Sequence, residues 1–303
     1  MKVILMIIVI YLFIAFLMFL IVSIKFKKSI LKYIDRKMEK ALLSYKDYFD
    51  KGNTWVSKQK KDHLFLFSSD NVRLHAIFIK NKNSNKFMIL SHGYRSTCIR
   101  DIYPSCENYY KLGYNLVIID QRTSLKSDGN YITLGYYEHK DLSDWVDYIK
   151  LRFKDSKIIL GGVSMGATSS LLCASINKNV DAVVADCAFK NGYYEVAHAM
   201  KKFFFLPSFL FIGLINLYCK IFAKFDLRDV DVIKACKNIK VPVLLIHGKC
   251  DDFIPYQDSE EIYDNLKCKK EIHLFDKAQH GMSFLVESDR YLSILKEFLK
   301  KVK

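Results

Sequence analysis

The sequence predicts an α/β fold built on a mainly parallel sheet. Short β-prone runs at 87–91, 115–120, 157–160, 182–185, 241–246 and 271–275 alternate with helical patterns near 98–112, 138–153, 165–177, 256–267 and 284–301. That alternation implies parallel strands covered by helices on both faces. Ahead of it, runs at 63–67 and 72–80 flank Ser68-Ser69-Asp70-Asn71 and read as an antiparallel hairpin. With 303 residues, 51% of them hydrophobic, the chain is long enough to bury one large core. Ligands of such sheets bind beyond the carboxyl ends of the strands, so the polar residues following each run are the ones to inspect.

The N-terminus departs from this pattern. Residues 3–24 carry no charge. As a helix they span about 33 Å, against a hydrocarbon core of about 30 Å. A cleavable signal peptide has a shorter apolar region ending in small residues. Here the run ends in Ile21-Val22-Ser23-Ile24-Lys25, so residues 1–28 are expected to be an uncleaved transmembrane anchor. Lys2 precedes the span, whereas Lys25, Lys27, Lys28, Lys32, Arg36, Lys37 and Lys40 follow it. By the positive-inside rule the expected state is a single-pass cell-membrane protein with its C-terminal domain in the cytoplasm. A juxtamembrane helical segment is expected over 29–58, and the main domain over 59–303.

The net charge is +15, yet no nucleic-acid-binding motif and no basic cluster interleaved with aromatics is present. The charge reads as a Lys-rich surface that also suits anionic lipid headgroups, and nucleic acid is not an expected partner. The eight cysteines are scattered, without C-x-x-C or ligand-spaced histidines, and are expected to be reduced thiols rather than a zinc site. Neither a metal nor an organic cofactor is expected.

Four strand ends carry chemistry. After the run at 87–91 comes Ser91-His92-Gly93-Tyr94, a turn able to aim the backbone N–H of Tyr94 at a developing oxyanion. After 157–160 comes Gly162-Val163-Ser164-Met165-Gly166, a G-x-S-x-G turn between strand and helix. Such a turn strains the serine backbone, and a Cβ at Gly162 or Gly166 would collide. It also sets Ser164 at a helix N-terminus, where the N–H of Met165 becomes the second oxyanion donor. After 241–246 comes His247-Gly248-Lys249-Cys250-Asp251-Asp252. Asp251 is the expected acid that fixes the histidine tautomer, and Asp252 a turn-capping residue; Asp186, ending the preceding strand, is a rival acid. After 271–275 comes His280, in a loop downstream of both serine and acid, the expected general base. The other histidines lie in predicted strands or helices or open His-Gly turns.

The order Ser164, Asp251, His280 is that of the α/β-hydrolase triad. Together with "LSHGY", "VIIDQR", "GGVSMGA", "ADCAF", "VPVLLIHGKCDDFIP" and "AQHGMSF", it makes residues 60–300 resemble α/β-hydrolase serine hydrolases of the esterase/lipase type. The similarity extends to the membrane-anchored bacterial BEM46-like hydrolases. The resemblance implies an eight-stranded, mostly parallel sheet with a helical cap insertion, about 190–239. It also implies cleavage of carboxylic esters of apolar acyl substrates, small molecules or lipids, through an acyl-enzyme. Thioesterase, acyltransferase and peptidase activities use the same triad, and a non-catalytic scaffold uses the same fold. One departure stands out: where the family usually has a Gly-His-Gly-like turn and Ser, this chain has Thr123-Ser124-Leu125-Lys126-Ser127.

The cap contains the apolar stretch 201–225. One crossing there would put Asp251 and Ser164 on opposite sides of a bilayer, so it reads as a lid. Pro207 suits a helix start. Asn216, Lys220 and Lys224 are expected to form a narrow polar stripe on an otherwise apolar helix. Phe209, Phe211, Ile212 and Ile215 are the candidates for substrate contact or for dipping into the membrane interface.

Overall fold

The computed structural model describes residues 2–24 and 43–302. The basic residues 25–40 and the first part of the expected juxtamembrane segment, 29–42, lie outside the described residues.

Eight strands form one sheet, in the order β1-β2-β4-β3-β5-β6-β7-β8. They are β1 (Asp62–Phe67), β2 (Arg73–Ile79), β3 (Lys86–Ser91), β4 (Asn115–Asp120), β5 (Lys157–Val163), β6 (Ala182–Asp186), β7 (Val243–Gly248) and β8 (Lys270–Phe275). β1 and β2 make the expected antiparallel hairpin, and β2 also pairs antiparallel with β4. Every other pairing is parallel. β7 runs further than expected, taking in His247 and Gly248, because these continue in register with Leu274 and Phe275 of β8.

The inner strands are apolar on both faces because both faces are covered. In β4, Leu116 and Ile118 join a core with Tyr109, Leu295 and Phe298. Val117 and Ile119 point the other way, toward Trp145, Ile149 and Leu171. The covering helices are α3 (Cys98–Asp101), α4 (Tyr103–Lys111), α5 (Glu138–Arg152), α6 (Met165–Ile176), α10 (Gln257–Asn265), α11 (Ser283–Val286) and α12 (Ser288–Lys301). The single helix expected near 98–112 is two, broken at Ile102. Pro104, which lacks an N–H, is accommodated in the first turn of α4. The helix expected over 284–301 is likewise interrupted, at Glu287. Ahead of the sheet, α2 (Lys46–Lys58) packs on α4, with Trp55 edge-on to Tyr110 at 5.3 Å.

Between β6 and β7 lies a helical cap: α7 (Gly192–Phe204), α8 (Ser208–Tyr218), a π-turn (Cys219–Ala223), a short 3-10 turn (Leu227–Asp229) and α9 (Val232–Ala235). Pro207 precedes α8 as its N-cap rather than opening its first turn. The expected polar stripe is split: Lys220 and Lys224 are exposed and Asn216 is not. Asn216 is buried, donating to Asp226 Oδ1 at 2.9 Å and accepting from Leu227 N–H at 2.8 Å. Lys220 pairs with the same Asp226 at 3.1 Å. These groups tie the end of the apolar helix to the loop behind it, because a buried amide must find partners.

The apolar helix α1 (Lys2–Ser23) has the length and composition to cross a membrane. It does not stand apart. Ala15, Phe19 and Ser23, at spacing four, are fully buried against the cap. Phe16 and Phe19 pack on Tyr218 and Phe222 with ring centroids 5.5–6.2 Å apart. The Tyr11 hydroxyl donates to the Leu210 carbonyl, and Tyr218 donates to the Leu12 carbonyl at 3.2 Å. Residues 3–10 remain exposed.

Candidate active site

Ser164 sits between β5 and α6 with φ 57° and ψ −121°, a conformation non-glycine residues rarely adopt. Three constraints hold it there. Its N–H donates to the Asp186 carbonyl at 2.8 Å, and its carbonyl accepts from Thr168 N–H at 3.0 Å. The turn is also tight on both sides: a Cβ on Gly162 would lie 2.2 Å from the Gly166 carbonyl carbon, and one on Gly166 2.2 Å from the Ser91 oxygen. Ser164 therefore projects from the N-terminus of α6, with the Met165 N–H in the helix's first turn.

The Gly93–Tyr94 turn faces it. A Cβ on Gly93 would be 3.3 Å from Ser164 Cβ. The turn is built by buried polar groups. Gly93 N–H donates to Asp101 Oδ2 at 2.8 Å. His92 Nδ1 bonds the Gly93 carbonyl at 2.9 Å while Nε2 accepts from Gln121 N–H at 3.2 Å, and the Gln121 side chain donates to the His92 carbonyl. Burial pushes the Asp101 carboxyl up, but Arg100 and the Gly93 N–H outweigh it and keep it ionised.

Asp251 and His280 meet as expected: Oδ2 and Nδ1 are 2.7 Å apart. With Nδ1–H donating to the carboxylate, Nε2 keeps its lone pair. The Asp251 side chain is fully buried and accepts four hydrogen bonds. Its Oδ1 takes the Phe253 and Ile254 N–H groups, at 2.8 and 2.9 Å. Asp251 thus also caps the turn that follows it. Its Oδ2 is shared by His280 and by His247 Nε2, at 3.1 Å. Burial pushes the carboxyl up, but the charge of His280 and the hydrogen bonds from His247 and His280 hold it far below the usual carboxylate range.

His247 is the residue that the sequence reading missed. Its Nδ1 accepts from Ser259 Oγ at 2.7 Å, which leaves Nε2–H to face Asp251. The rival acid, Asp186, is fully buried; burial pushes its carboxyl up to about 7 and its side chain accepts from Ser283 at 3.4 Å. It serves the elbow through its backbone carbonyl, not the histidine. Cys187, Asp251 and His280 place ligand atoms within 4.8 Å of one another. Burial and the charges of Asp186 and Asp251 push the Cys187 thiol well up, so it keeps its proton and makes a poor metal ligand.

Two family models match the chain. One is the X-Pro dipeptidyl-peptidase (S15 family), over residues 40–217, 178 of 303 residues. The other is serine aminopeptidase, S33, over residues 222–288. The chain belongs to the α/β-hydrolase serine hydrolases. The longer match places it with their S15 family. An uncharacterized Bacillus subtilis protein, YqkD, is 29% identical over 63% of the chain, and the match spans 64% of that protein's length, just under two thirds. Among solved structures, an esterase of Pyrococcus furiosus is 29% identical, with a TM-score of 0.67 over 80% of this chain and 93% of its own. The Pyrococcus horikoshii acylaminoacyl peptidase, 19% identical with a TM-score of 0.60, covers 83% of this chain and 44% of its own, and shares the fold.

Two hollows share Tyr94, Ser164 and Phe253 in their walls. One is lined by Gly93, Tyr94, Ser164, Phe253 and His280, so the serine and the histidine face the same space. Phe253 lies against the His280 ring at 5.2 Å. The other is apolar and is lined by Val22, Leu134, Ser164, Phe189, Val196 and Ala199 among others. Of the lid candidates, Phe211, Ile212 and Ile215 are buried in the core between cap and α1, and Phe209 is 80% exposed. None of the four lines either of these two hollows, and α7 supplies the cap side instead. Nor do residues 123–127. They are held by Arg122, which is clamped by Asp141 at 2.6 and 2.7 Å and by Asp70 at 3.1 Å, and by Ser127, which donates to the Asp120 carbonyl at 2.6 Å.

Glu195 is the one carboxylate among the residues that line the apolar hollow. Burial and the charges of Asp258 and Asp251 push its carboxyl up to about 8. A raised carboxyl is bound to its proton in the folded state, so the fold loses stability as pH rises from about 4.3, the unfolded value, toward 8. Glu195→Gln is expected to raise Tm at pH 8.5 and leave it unchanged at pH 4.5. Equal Tm values for the two proteins at pH 8.5 would show that Glu195 carries no such burden.

Proposed function

We propose that the chain is a membrane-tethered serine esterase acting on apolar acyl esters. Ser164 Oγ attacks the acyl carbonyl while His280 Nε2 takes its proton, and the N–H groups of Tyr94 and Met165 receive the oxyanion. His280 then protonates the departing alkoxide, leaving an acyl-enzyme. Water, deprotonated by His280, releases the acid and restores Ser164. Asp251 keeps Nδ1 protonated and stabilises the imidazolium. The observation that carries this reading is the 2.7 Å Asp251–His280 bond beside a strained serine in one hollow. The apolar lining of the second hollow and the likeness to the Pyrococcus furiosus esterase favour an ester with an apolar acyl group over a polar substrate.

A peptidase reading is supported by the names of the two matching families. One panel separates them: full-length protein in detergent, with nitrophenyl esters of two to sixteen carbons and amino-acyl and dipeptidyl nitroanilides. Ester turnover with covalent fluorophosphonate labelling is the expected result. Anilide turnover without ester turnover would establish the peptidase, and an inert protein would establish a scaffold. The basic residues after α1 favour a cytoplasmic domain. Protease digestion of the domain from outside sealed cells would reverse that orientation.

A further inference from the structure

The last turn of a helix leaves carbonyls without intrahelical partners, and at a membrane exit these normally meet water or headgroups. In α1 they meet the active site. Tyr94, whose N–H is the proposed oxyanion donor, sends its hydroxyl to the Val22 carbonyl at 2.8 Å and the Ile21 carbonyl at 3.2 Å. Arg95, the next residue, donates to the Ile21 carbonyl and to the Ile24 carbonyl at 2.6 Å. Ile132 N–H donates to the Ser23 carbonyl at 2.7 Å. The Val22 side chain is a wall of the apolar hollow that contains Ser164.

The length of α1 adds a second constraint. Contacts with the cap begin at Tyr11, so only residues 2–10 stand clear. Nine residues rise about 14 Å, less than half of a hydrocarbon core of about 30 Å. A helix docked this way crosses a bilayer only if α8 enters the hydrocarbon beside it. The surface of the cap fits that depth. Phe205 and Phe209 are 88% and 80% exposed, and Leu217, Ile221 and Phe222 are nearly half exposed. Isolated apolar side chains are ordinary on a surface, but five on the cap between residues 205 and 222 call for an apolar partner.

We infer that α1 is a working part of the active site: its last turn mounts the oxyanion loop and walls the acyl pocket, and the pocket takes a long acyl chain of a bilayer lipid that enters alongside the helix. This rests on the esterase reading for the reaction, but not for occupancy of the pocket. Tyr94 and Arg95 act through their side chains as positioning residues, whereas Val22 sets how much chain the pocket accepts.

The test uses the full-length chain carrying Ser164→Ala in phosphatidylcholine–phosphatidylglycerol vesicles, photolysed with a diazirine-bearing palmitic acid. The expected result is label on Val22 and on the α7 peptide 192–204, displaced by palmitate and not by acetate. Val22→Trp is expected to lower that label at least five-fold and leave the label on residues 3–9 unchanged; Ala199→Trp, facing the same hollow, covers the case of a misfolded Val22 variant. In the Ser164 protein, either variant is expected to lower kcat/KM for a dodecanoyl ester at least ten-fold more than it lowers kcat/KM for the acetyl ester. Label confined to residues 3–13 and insensitive to both variants would overturn the inference. A wild-type protein inert to all esters but labelled at Val22 would remove the esterase reading and keep the lipid pocket.

Discussion

Ser164→Ala is expected to abolish fluorophosphonate labelling and to lower kcat for ester hydrolysis on the order of 10⁴- to 10⁶-fold, with KM little changed. The expected selectivity follows from the geometry. Removing Oγ leaves the Tyr94 and Met165 N–H groups and the apolar hollow intact, so binding survives and only the covalent step is lost. Asp251→Asn is expected to cost about 10⁴-fold in kcat, because an amide turned to satisfy its neighbours no longer fixes Nδ1–H on His280. It carries a stability cost that Ser164→Ala does not, since Asp251 also accepts from His247 and from two backbone N–H groups. The Asp251 carboxyl is depressed in the fold, so its contribution is present above the unfolded value of about 3.9 and is lost as pH falls toward the folded value. Thermal unfolding should therefore separate wild type from Asp251→Asn at pH 7 and bring them together toward pH 2. A Ser164→Ala protein retaining most of its ester turnover would remove the proposed mechanism.

Gly162→Ala is expected to be the most damaging single methyl in the chain, and Gly161→Ala, one residue earlier, far milder. At Gly162 the added Cβ meets backbone, 2.2 Å from the Gly166 carbonyl carbon and 2.5 Å from the Ala167 nitrogen. Neither atom can move without unwinding the start of α6. At Gly161 the nearest atom is Leu90 Cδ2 at 2.8 Å, the free end of a side chain that can change rotamer. The first substitution is expected to cost more than about 4 kcal/mol, a loss of about 10 °C or more in Tm, and to misplace Ser164. The second is expected to cost about 1–2 kcal/mol and to keep activity. Thermal unfolding in detergent alongside ester turnover measures both. Equal costs at the two positions would mean that the elbow relaxes more freely than its packing indicates.

The elbow was legible because its chemistry is local: strand, Gly162, Ser164, Gly166 and helix lie within a few residues, and each constraint acts between neighbours in sequence. Asp251 and His280 were legible for a related reason, each following an apolar run at a strand's carboxyl end. His247 was not, because a histidine before glycine at a strand end reads as a turn; only the register of β7 on β8 and the Ser259 hydroxyl turn its ring toward Asp251. The breaks at Ile102 and Glu287 were hidden because helical periodicity continues across them.

The cap shows the limit most sharply. Its composition marked it as apolar, but four apolar residues on one helix look alike in sequence, and the fold sends Phe211, Ile212 and Ile215 inward and Phe209 outward. Asn216 was expected in one polar stripe with Lys220 and Lys224; the lysines are exposed, whereas Asn216 is a buried amide satisfied by a turn ten residues on. The sequence by itself pointed to the sheet, the tight turn at Ser164 and the candidate pair Asp251 and His280, since these follow from local periodicity and strand-end chemistry. Only the tertiary structure decided that the apolar N-terminal helix ends inside the site, because the partners of its last carbonyls, Tyr94, Arg95 and Ile132, lie 70 residues and more along the chain, and nothing local encodes that meeting.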